Sequence, residues 1–369
     1  MSGTDRNWMQ DDLGPAKVLF ARLVTGADAV VVVDNVALGP AIGGVRMAAG
    51  VTAAEVARLA RAMTLKNAAA GLPHGGGKAG IVLPAESAAA DRERAMRAFA
   101  RAIEHLVEYI PGPDMGTDET SMAFVHDEIG RCVGLPAVLG GIPLDQLGAT
   151  GYGLGVCAQA LEEGKVLELP DARVVVQGFG AVGRHAALAL NGRGARVIAV
   201  SDRGGATYDP SGIDVAALAG YSADQRGVAG FPEGRPLPRD EILGLDCDIL
   251  LPAAQADVFT AANAAGVRAR VVLQGANIPA TAEAEAVFHR RGVVSVPDII
   301  ANAGGVICAA AEYRGDTRVR AFAEIEDKIR ENTAEMLDRA RGGESTLRAA
   351  ANEMAFARLR QAAGYRRTF

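Results

Sequence analysis

Apolar residues recur along this chain with two different periods. Ala29-Val30-Val31-Val32-Val33 is a consecutive β-branched run that predicts a strand, and Gly43 to Met47 predicts another after the turn Leu38-Gly39-Pro40. The period then becomes helical. Thr52-x-x-Glu55 fits a capping box, Val56, Leu59 and Met63 form one stripe that runs on to Lys66, and Gly71 and Pro73 stop it. Met96, Phe99, Ile103, Leu106 and Val107 predict a second helix from Asp91 to Ile110, broken by Pro111-Gly112-Pro113 just before Asp114.

Past Gly140-Gly141-Ile142-Pro143, read as the approach to a domain boundary, strands and helices alternate. Arg173–Gln177, a helix starting over Gly183–Leu190, and Arg196–Val200 make a βαβ unit. Apolar segments at Ile249–Leu251, Val271–Leu273 and Val293–Val296, separated by Ala-rich stretches, extend it to an open parallel sheet. After Gly304-Gly305 the pattern is helical, with a stripe of Phe322, Ile325, Ile329, Met336 and Leu337 and a last helix from about Ser345. The fold class is therefore α/β in two domains. One is an α/β domain over 1–140, completed by C-terminal helices 330–369 that pack back on it; the other, over 141–329, is a Rossmann doubly wound parallel sheet.

Composition narrows the partners. The 369 residues suffice for two cores and a cleft between them. Lys plus Arg is 38 against 44 Asp plus Glu, a formal charge of −6, so nothing in the overall field favours nucleic acid or an anionic membrane. A small molecule is the expected partner. Cys132, Cys157, Cys247 and Cys308 show no C-x-x-C pairing and read as buried thiols in a reducing compartment. The start, MSGTDRNWMQDDLG, lacks a basic-then-apolar leader pattern and no apolar run is long enough to span a bilayer, so a cytoplasmic location is expected. The five histidines, His74, His105, His126, His185 and His289, form no metal-spaced cluster, and no metal is assigned.

Glycine is the unusual residue: 45 of 369 positions, about 12% against a common 7%. Gly178-Phe179-Gly180-Ala181-Val182-Gly183 follows a predicted strand and opens a predicted helix. In such a turn Gly178 allows the bend, Gly180 lets a pyrophosphate approach the backbone, and Gly183 lets helix pack on strand, with the helix start at Ala181 and Val182 facing the phosphates. Asp202 ends the next strand 19 residues on (202 − 183), where a carboxylate accepts ribose hydroxyls. This favours NAD, while the neighbouring Arg203 suits a 2′-phosphate and keeps NADP open.

A second glycine-rich stretch runs from Leu65 to Gly80 through Lys66, His74, Gly75-Gly76-Gly77 and Lys78. Its spacing is not that of a phosphate-binding Walker loop, since Ala79 follows the lysine. Most lysines are exposed charges. Two lysines drawn together by a compact apolar loop would depress each other's pKa, and one near neutrality serves as a general base. Asp114, in Gly112-Pro113-Asp114-Met115-Gly116-Thr117, is either an Asx-turn residue or a proton carrier.

These segments together resemble the glutamate/leucine/phenylalanine/valine dehydrogenases. The resemblance runs through Gly39-Pro40-Ala41-Ile42-Gly43-Gly44-Val45-Arg46, Lys66-Asn67, Gly75-Gly76-Gly77-Lys78, Pro113-Asp114, Ala149-Thr150-Gly151, Gly178 to Gly183, Gln274-Gly275-Ala276-Asn277 and Pro297-Asp298-Ile299-Ile300-Ala301-Asn302-Ala303-Gly304-Gly305-Val306. It implies a substrate domain facing a nicotinamide-binding domain across a cleft, oxidative deamination of an L-amino acid, and a homo-oligomer. By the same resemblance Lys66 binds the substrate α-carboxylate with Gly43, Gly44 and Asn277, and Lys78 activates the attacking water. Asp114 exchanges protons with the amino group, and Thr150, Asn277 and Asn302 surround the nicotinamide and its ribose.

Glutamate-specific members carry a lysine where this chain has Ile42 and a serine where it has Ala309. An unpaired γ-carboxylate buried there would cost several kcal/mol. Ile42, Gly112, Val306 and Ala309 therefore read as an apolar pocket for an aromatic or branched-chain amino acid, aromatic first. Glutamate dehydrogenase-type activity and a non-catalytic dinucleotide-sensing protein are the alternatives. A hydroxy-acid dehydrogenase would want a His–carboxylate pair, and none is evident.

Overall fold

The computed structural model describes residues 11–84, 86–223, 227–343 and 345–366. Residues 1–10, most of the segment read for a leader, lie outside them. The chain divides into two compact units. One comprises the chain up to Leu144, Val306–Phe322 and the residues from Met354; the other comprises Asp145–Gly305 and Ala323–Glu353.

The first unit contains β1 (Lys17–Arg22), β2 (Asp28–Asn35), β3 (Ala41–Met47), α1 (Ala53–Ala69), β4 (Gly75–Ile81), α2 (Ala89–Ala102), β5 (Tyr109–Pro113) and α3 (Glu119–Ile129). The sheet order is β1-β2-β4-β3-β5, with β3 parallel to both β4 and β5 and the β1–β2 and β2–β4 pairs antiparallel. Val30 and Val32 pack with Val56, Ala57 and Ala60 of α1 on one face. Val31 and Val33 pack with Met96, Phe99 and Met122 of α2 and α3 on the other. A strand buried on both faces has no polar side, which is why β2 reads as an unbroken apolar run.

Two predicted elements differ. Residues 75–81 were expected as part of a compact loop but form β4, a central strand with every residue buried. Its glycines answer to close packing: a Cβ at Gly76 would stand 2.0 Å from the Thr64 amide nitrogen of α1, and one at Gly77 2.9 Å from the Tyr109 ring. The helix expected through Ile110 ends at Ala102, and Tyr109–Pro113 is instead β5. Pro111 and Pro113 look like breakers, yet β5 is the sheet's edge strand, where a missing N–H is tolerated.

The second unit begins with α4 (Ala149–Glu163), β6 (Arg173–Gln177), α5 (Ala181–Asn191), β7 (Arg196–Ser201), β8 (Ala206–Tyr208), α6 (Val215–Ala223) and β9 (Arg235–Leu237). It continues with β10 (Ile249–Pro252), β11 (Val271–Leu273), α7 (Ala282–Arg290), β12 (Val294–Val296) and α8 (Asp298–Ala301). The sheet order is β12-β11-β10-β6-β7-β8-β9, parallel from β12 to β7, with β8 and β9 antiparallel. Strand order reverses at β6, so the chain leaves first toward β7 and then returns to β10: the Rossmann doubly wound arrangement.

The remaining helices are α9 (Gly304–Tyr313), α10 (Arg318–Arg339) and α11 (Leu347–Ala363). The division falls at 144/145 rather than 140/141, and 330–369 does not go to the first unit as one block. The reason is the packing of α10 on α4: Tyr152 Oη donates to Glu326 at 2.9 Å, the Cys157 thiol meets the Thr333 hydroxyl, and Ile329 fills the space over Gly153. All four cysteines are buried and none is in a disulfide, and burial pushes the thiol pKa values of Cys132, Cys157 and Cys247 up to about 12. Among the described residues no helix is long and apolar enough to cross a membrane.

Candidate active site

Register in the first sheet builds a row of charges. Val45 of β3 lies opposite Ala79 of β4 and Pro113 of β5, so Lys78 and Arg46 come from adjacent strands and Asp114 from the residue that follows β5. Lys78 Nζ lies 3.1 Å from Asp114 Oδ1, and Arg46 Nε donates to Asp114 Oδ2 at 2.8 Å. Arg46 in turn donates from Nη1 to Glu55, whose backbone N–H is capped by Thr52 while its carboxylate turns to the arginine. Gly44 leaves the room: a Cβ there would stand 2.7 Å from Asp114 Cβ and 3.2 Å from Lys78 Nζ.

The side chains of Lys78 and Asp114 are 6% and 15% exposed. Burial strips water from the ammonium and pulls the Lys78 pKa below the usual lysine value, with Asp114 opposing and Arg46 assisting. Burial alone would raise the Asp114 pKa, but Lys78 and Arg46 hold the carboxyl below the usual range. The expected source of the lysine's shift is thereby corrected. Lys66 sits in the last turn of α1 and Lys78 on β4, and the depression comes from burial with Arg46 as the nearby cation. Asp114 spends its carboxylate on Lys78 and Arg46, while its backbone N–H and C=O bond Thr117.

Around the pair, Lys66 is buried, and Asn67 Nδ2 donates to the Gly75 carbonyl at 2.6 Å. Tyr109 Oη donates to the Gly43 carbonyl at 2.7 Å, and a Cβ at Gly43 would collide with Gly77 at 1.6 Å. Ile42 is buried between Gly76 and Ile110 on its neighbouring strands. Gly112 lies under Val133, where a Cβ would approach to 3.0 Å. Val306 and Ala309 are both on α9, half-buried and buried. His74 donates from Nδ1 to the Pro40 carbonyl at 3.2 Å, and burial lowers its pKa.

In the second unit the three glycines of the β6–α5 turn differ in what surrounds them. Gly178 has φ +98° and packs on Ala254; a Cβ at Gly183 would stand 1.8 Å from the Gly178 carbonyl oxygen; at Gly180 it would meet nothing within 4 Å. The open side at Gly180 lies at the start of α5, which no side chain caps, so the N–H groups from Ala181 and Val182 onward can receive an anion. These features fit a dinucleotide pyrophosphate. Asp202, half-buried, accepts from Gly204 N at 2.7 Å and Val228 N at 2.8 Å, which leaves lone pairs for ribose hydroxyls, and Arg203 beside it is exposed. Thr150 is half-buried in the first turn of α4. Asn302 Nδ2 donates to the carbonyls of Gly275 and Ala276 and to Asn277 Oδ1, at 3.1–3.2 Å.

The family model described as Glutamate/Leucine/Phenylalanine/Valine dehydrogenase matches residues 140–367, and that of the Glu/Leu/Phe/Val dehydrogenase dimerisation domain matches 21–131. The chain belongs to the Glu/Leu/Phe/Val dehydrogenase family. Similar members include the glutamate dehydrogenase of Thermotoga maritima, 39% identical over 82% of this chain and 76% of that protein. The NADP-specific glutamate dehydrogenase of Saccharolobus shibatae is 39% identical over 76% of this chain and 69% of its own length. The catabolic NAD-specific enzyme of Bacillus subtilis is 38% identical over 76% and 68%. Among solved structures, the hetero-hexameric glutamate dehydrogenase of Thermus thermophilus in its Leu-bound form superposes with a TM-score of 0.87 at 31% identity, covering 96% of this chain and 91% of that one.

For this Glu/Leu/Phe/Val dehydrogenase chain, Arg46 and Glu55 are the site residues that sequence reasoning left without a role. Arg46 was visible only as the end of a glycine motif and Glu55 only as a capping residue. An arginine inside an otherwise apolar strand is the signal that points to them, because a buried guanidinium needs a carboxylate.

Proposed function

We propose that this protein is an NAD(P)-dependent L-amino-acid dehydrogenase, releasing ammonium and a 2-oxo acid and running the reverse amination. The buried Lys78–Asp114 pair carries the reading, because burial moves the lysine toward the neutral form that a general base requires. A bound nicotinamide dinucleotide, held at Gly178, Gly180, Ala181, Val182, Gly183, Asp202, Thr150 and Asn302, supplies the hydride acceptor. Neutral Lys78 takes a proton from the water that attacks the iminium carbon. Asp114 relays that proton from the Lys78 ammonium to the amine of the carbinolamine; as the C–N bond breaks the C=O forms, and the hydroxyl proton passes to the departing ammonia, which leaves as ammonium. Lys66 and the Gly43-Gly44 backbone hold the α-carboxylate. Relatives named NAD-specific and NADP-specific support either dinucleotide. Asp202 favours NAD.

The relatives' names support glutamate as the amino acid better than an apolar one. A specific observation keeps the second reading, an aromatic or branched-chain substrate: Ile42 and Ala309 are buried and offer no cation or hydroxyl to a γ-carboxylate. An oligomer is part of the proposal, supported by the dimerisation-domain match over 21–131 and the hetero-hexameric relative, and the family resemblance makes it a homo-oligomer. The test is NADH and NADPH oxidation with ammonium and, in turn, 2-oxoglutarate, phenylpyruvate, indolepyruvate, 4-methyl-2-oxopentanoate and 3-methyl-2-oxobutanoate. Turnover of 2-oxoglutarate selects glutamate; turnover of an apolar oxo acid selects the second reading; both must need ammonium and vanish in Lys78→Ala. Dinucleotide binding without turnover of any oxo acid would leave a sensing protein instead.

A further inference from the structure

The second unit buries a polar network that the chemistry above does not use. Arg348, in the first turn of α11, donates from Nη1 to Asp298 Oδ1 at 2.6 Å and from Nη2 to Gln274 Oε1 at 2.7 Å and Glu285 Oε1 at 3.2 Å. Gln274 Nε2 donates to Glu285 at 2.6 Å and to Ser295 Oγ at 3.0 Å, and Asp298 N donates to Gln274 Oε1 at 3.2 Å. Gln274, Glu285, Ser295 and Asp298 are all buried. One cation thus answers two buried carboxylates, and removing it would take that pairing from both in a low-dielectric setting.

The network grips one loop. The second oxygen of Asp298 accepts from Ile278 N at 2.9 Å, and Ile278 is held at φ +49°, a left-handed conformation that a β-branched residue seldom adopts. The same loop is tied from its other side by Asn302, whose amide nitrogen reaches Gly275, Ala276 and Asn277. Asn302 Oδ1, buried, has no partner among the described residues. The loop leaves the carboxyl end of β11. In a doubly wound sheet the β6–β7 side, which ends in Asp202, takes the adenosine half of a dinucleotide, and the β10–β12 side takes the other half.

We propose that Arg348 is a positioning residue for the nicotinamide half of the cofactor: through Asp298 and Gln274 it fixes the 275–278 loop, and with it the amides of Asn277 and Asn302. The inference rests on the dinucleotide reading of the second unit. Its test compares NADH, or NADPH if that is the dinucleotide bound, with ADP-ribose, which lacks the nicotinamide, in the full-length protein. Arg348→Met is expected to weaken NADH about tenfold and ADP-ribose less than about twofold, with Arg348→Lys between wild type and Met. If Arg348→Met does not fold, Asp298→Asn reads the same link from its other end, with the same split expected. Equal weakening of NADH and ADP-ribose, or of neither, in a folded variant overturns the inference alone. A wild-type protein that binds neither dinucleotide overturns the reading of the second unit and the inference with it.

Discussion

Lys78 and Arg348 are both cations set among buried polar groups, and their surroundings balance them in opposite ways. Lys78 meets one carboxylate among the described residues, Asp114, and shares it with Arg46, while the second carboxylate of the cluster, Glu55, pairs with the arginine. Arg348 pairs with both Asp298 and Glu285. Burial, with one shared carboxylate to oppose it, draws the lysine toward its neutral form, while the arginine with two carboxylates stays charged. The residue types agree with this division, since a lysine can be neutralised within a protein and an arginine cannot. One unit holds a proton in a negotiable state, and the other uses charge as a fastening.

The largest test of that contrast is Asp114→Asn. It removes the carboxylate that carries protons and should lower kcat by about 10²-fold or more, within the usual range for losing an acid–base group. A loss below about tenfold in steady-state assays would sink the role given to Asp114. Next comes the opposition between Arg46 and Glu55. Arg46 lowers the Lys78 pKa and Glu55 raises it. If neutral Lys78 is the active form, activity climbs as pH rises through its pKa. Arg46→Met removes a depressing cation and moves that limb to higher pH; Glu55→Gln removes a supporting anion and moves it to lower pH. Shifts in the same direction for both, in pH profiles of kcat/KM, would contradict the balance described for Lys78. The smallest effect is expected at the other cation. Because an arginine does not titrate, the NADH dissociation constant should stay within about twofold across the pH range in which the activity limb rises, wherever that limb falls. A dissociation constant that tracks the activity limb would erase the contrast.

Much of this was legible in the sequence, for reasons tied to particular residues. The β6–α5 turn declares itself because its three glycines, the strand before and the helix after are contiguous, and Asp202 lies one βαβ unit on. Lys78 and Asp114 also stand out locally. Their setting does not. The neighbour that shapes Lys78 is Arg46, which comes from an adjacent strand, whereas Lys66, nearer in sequence, is on a helix. A run of three glycines imitates a loop, and the close approach of Asn35, of Thr64 on α1 and of Tyr109 explains why a central strand carries it. β8 and β9, three residues each, are too short to show alternation. Arg348 is 50 residues from Asp298 and 74 from Gln274, so no spacing rule links them.

The crowding at Gly43, Gly44 and Gly76 bears on how such a site can evolve. Any amino-acid change at a glycine installs at least a Cβ, and at these positions it would stand within 1.6–2.7 Å of atoms of neighbouring segments. Mutational drift there has no tolerated first step. In the proposed reading, new substrate preferences arise instead at positions that already carry side chains, and Ile42, one residue before the blocked pair, is such a position.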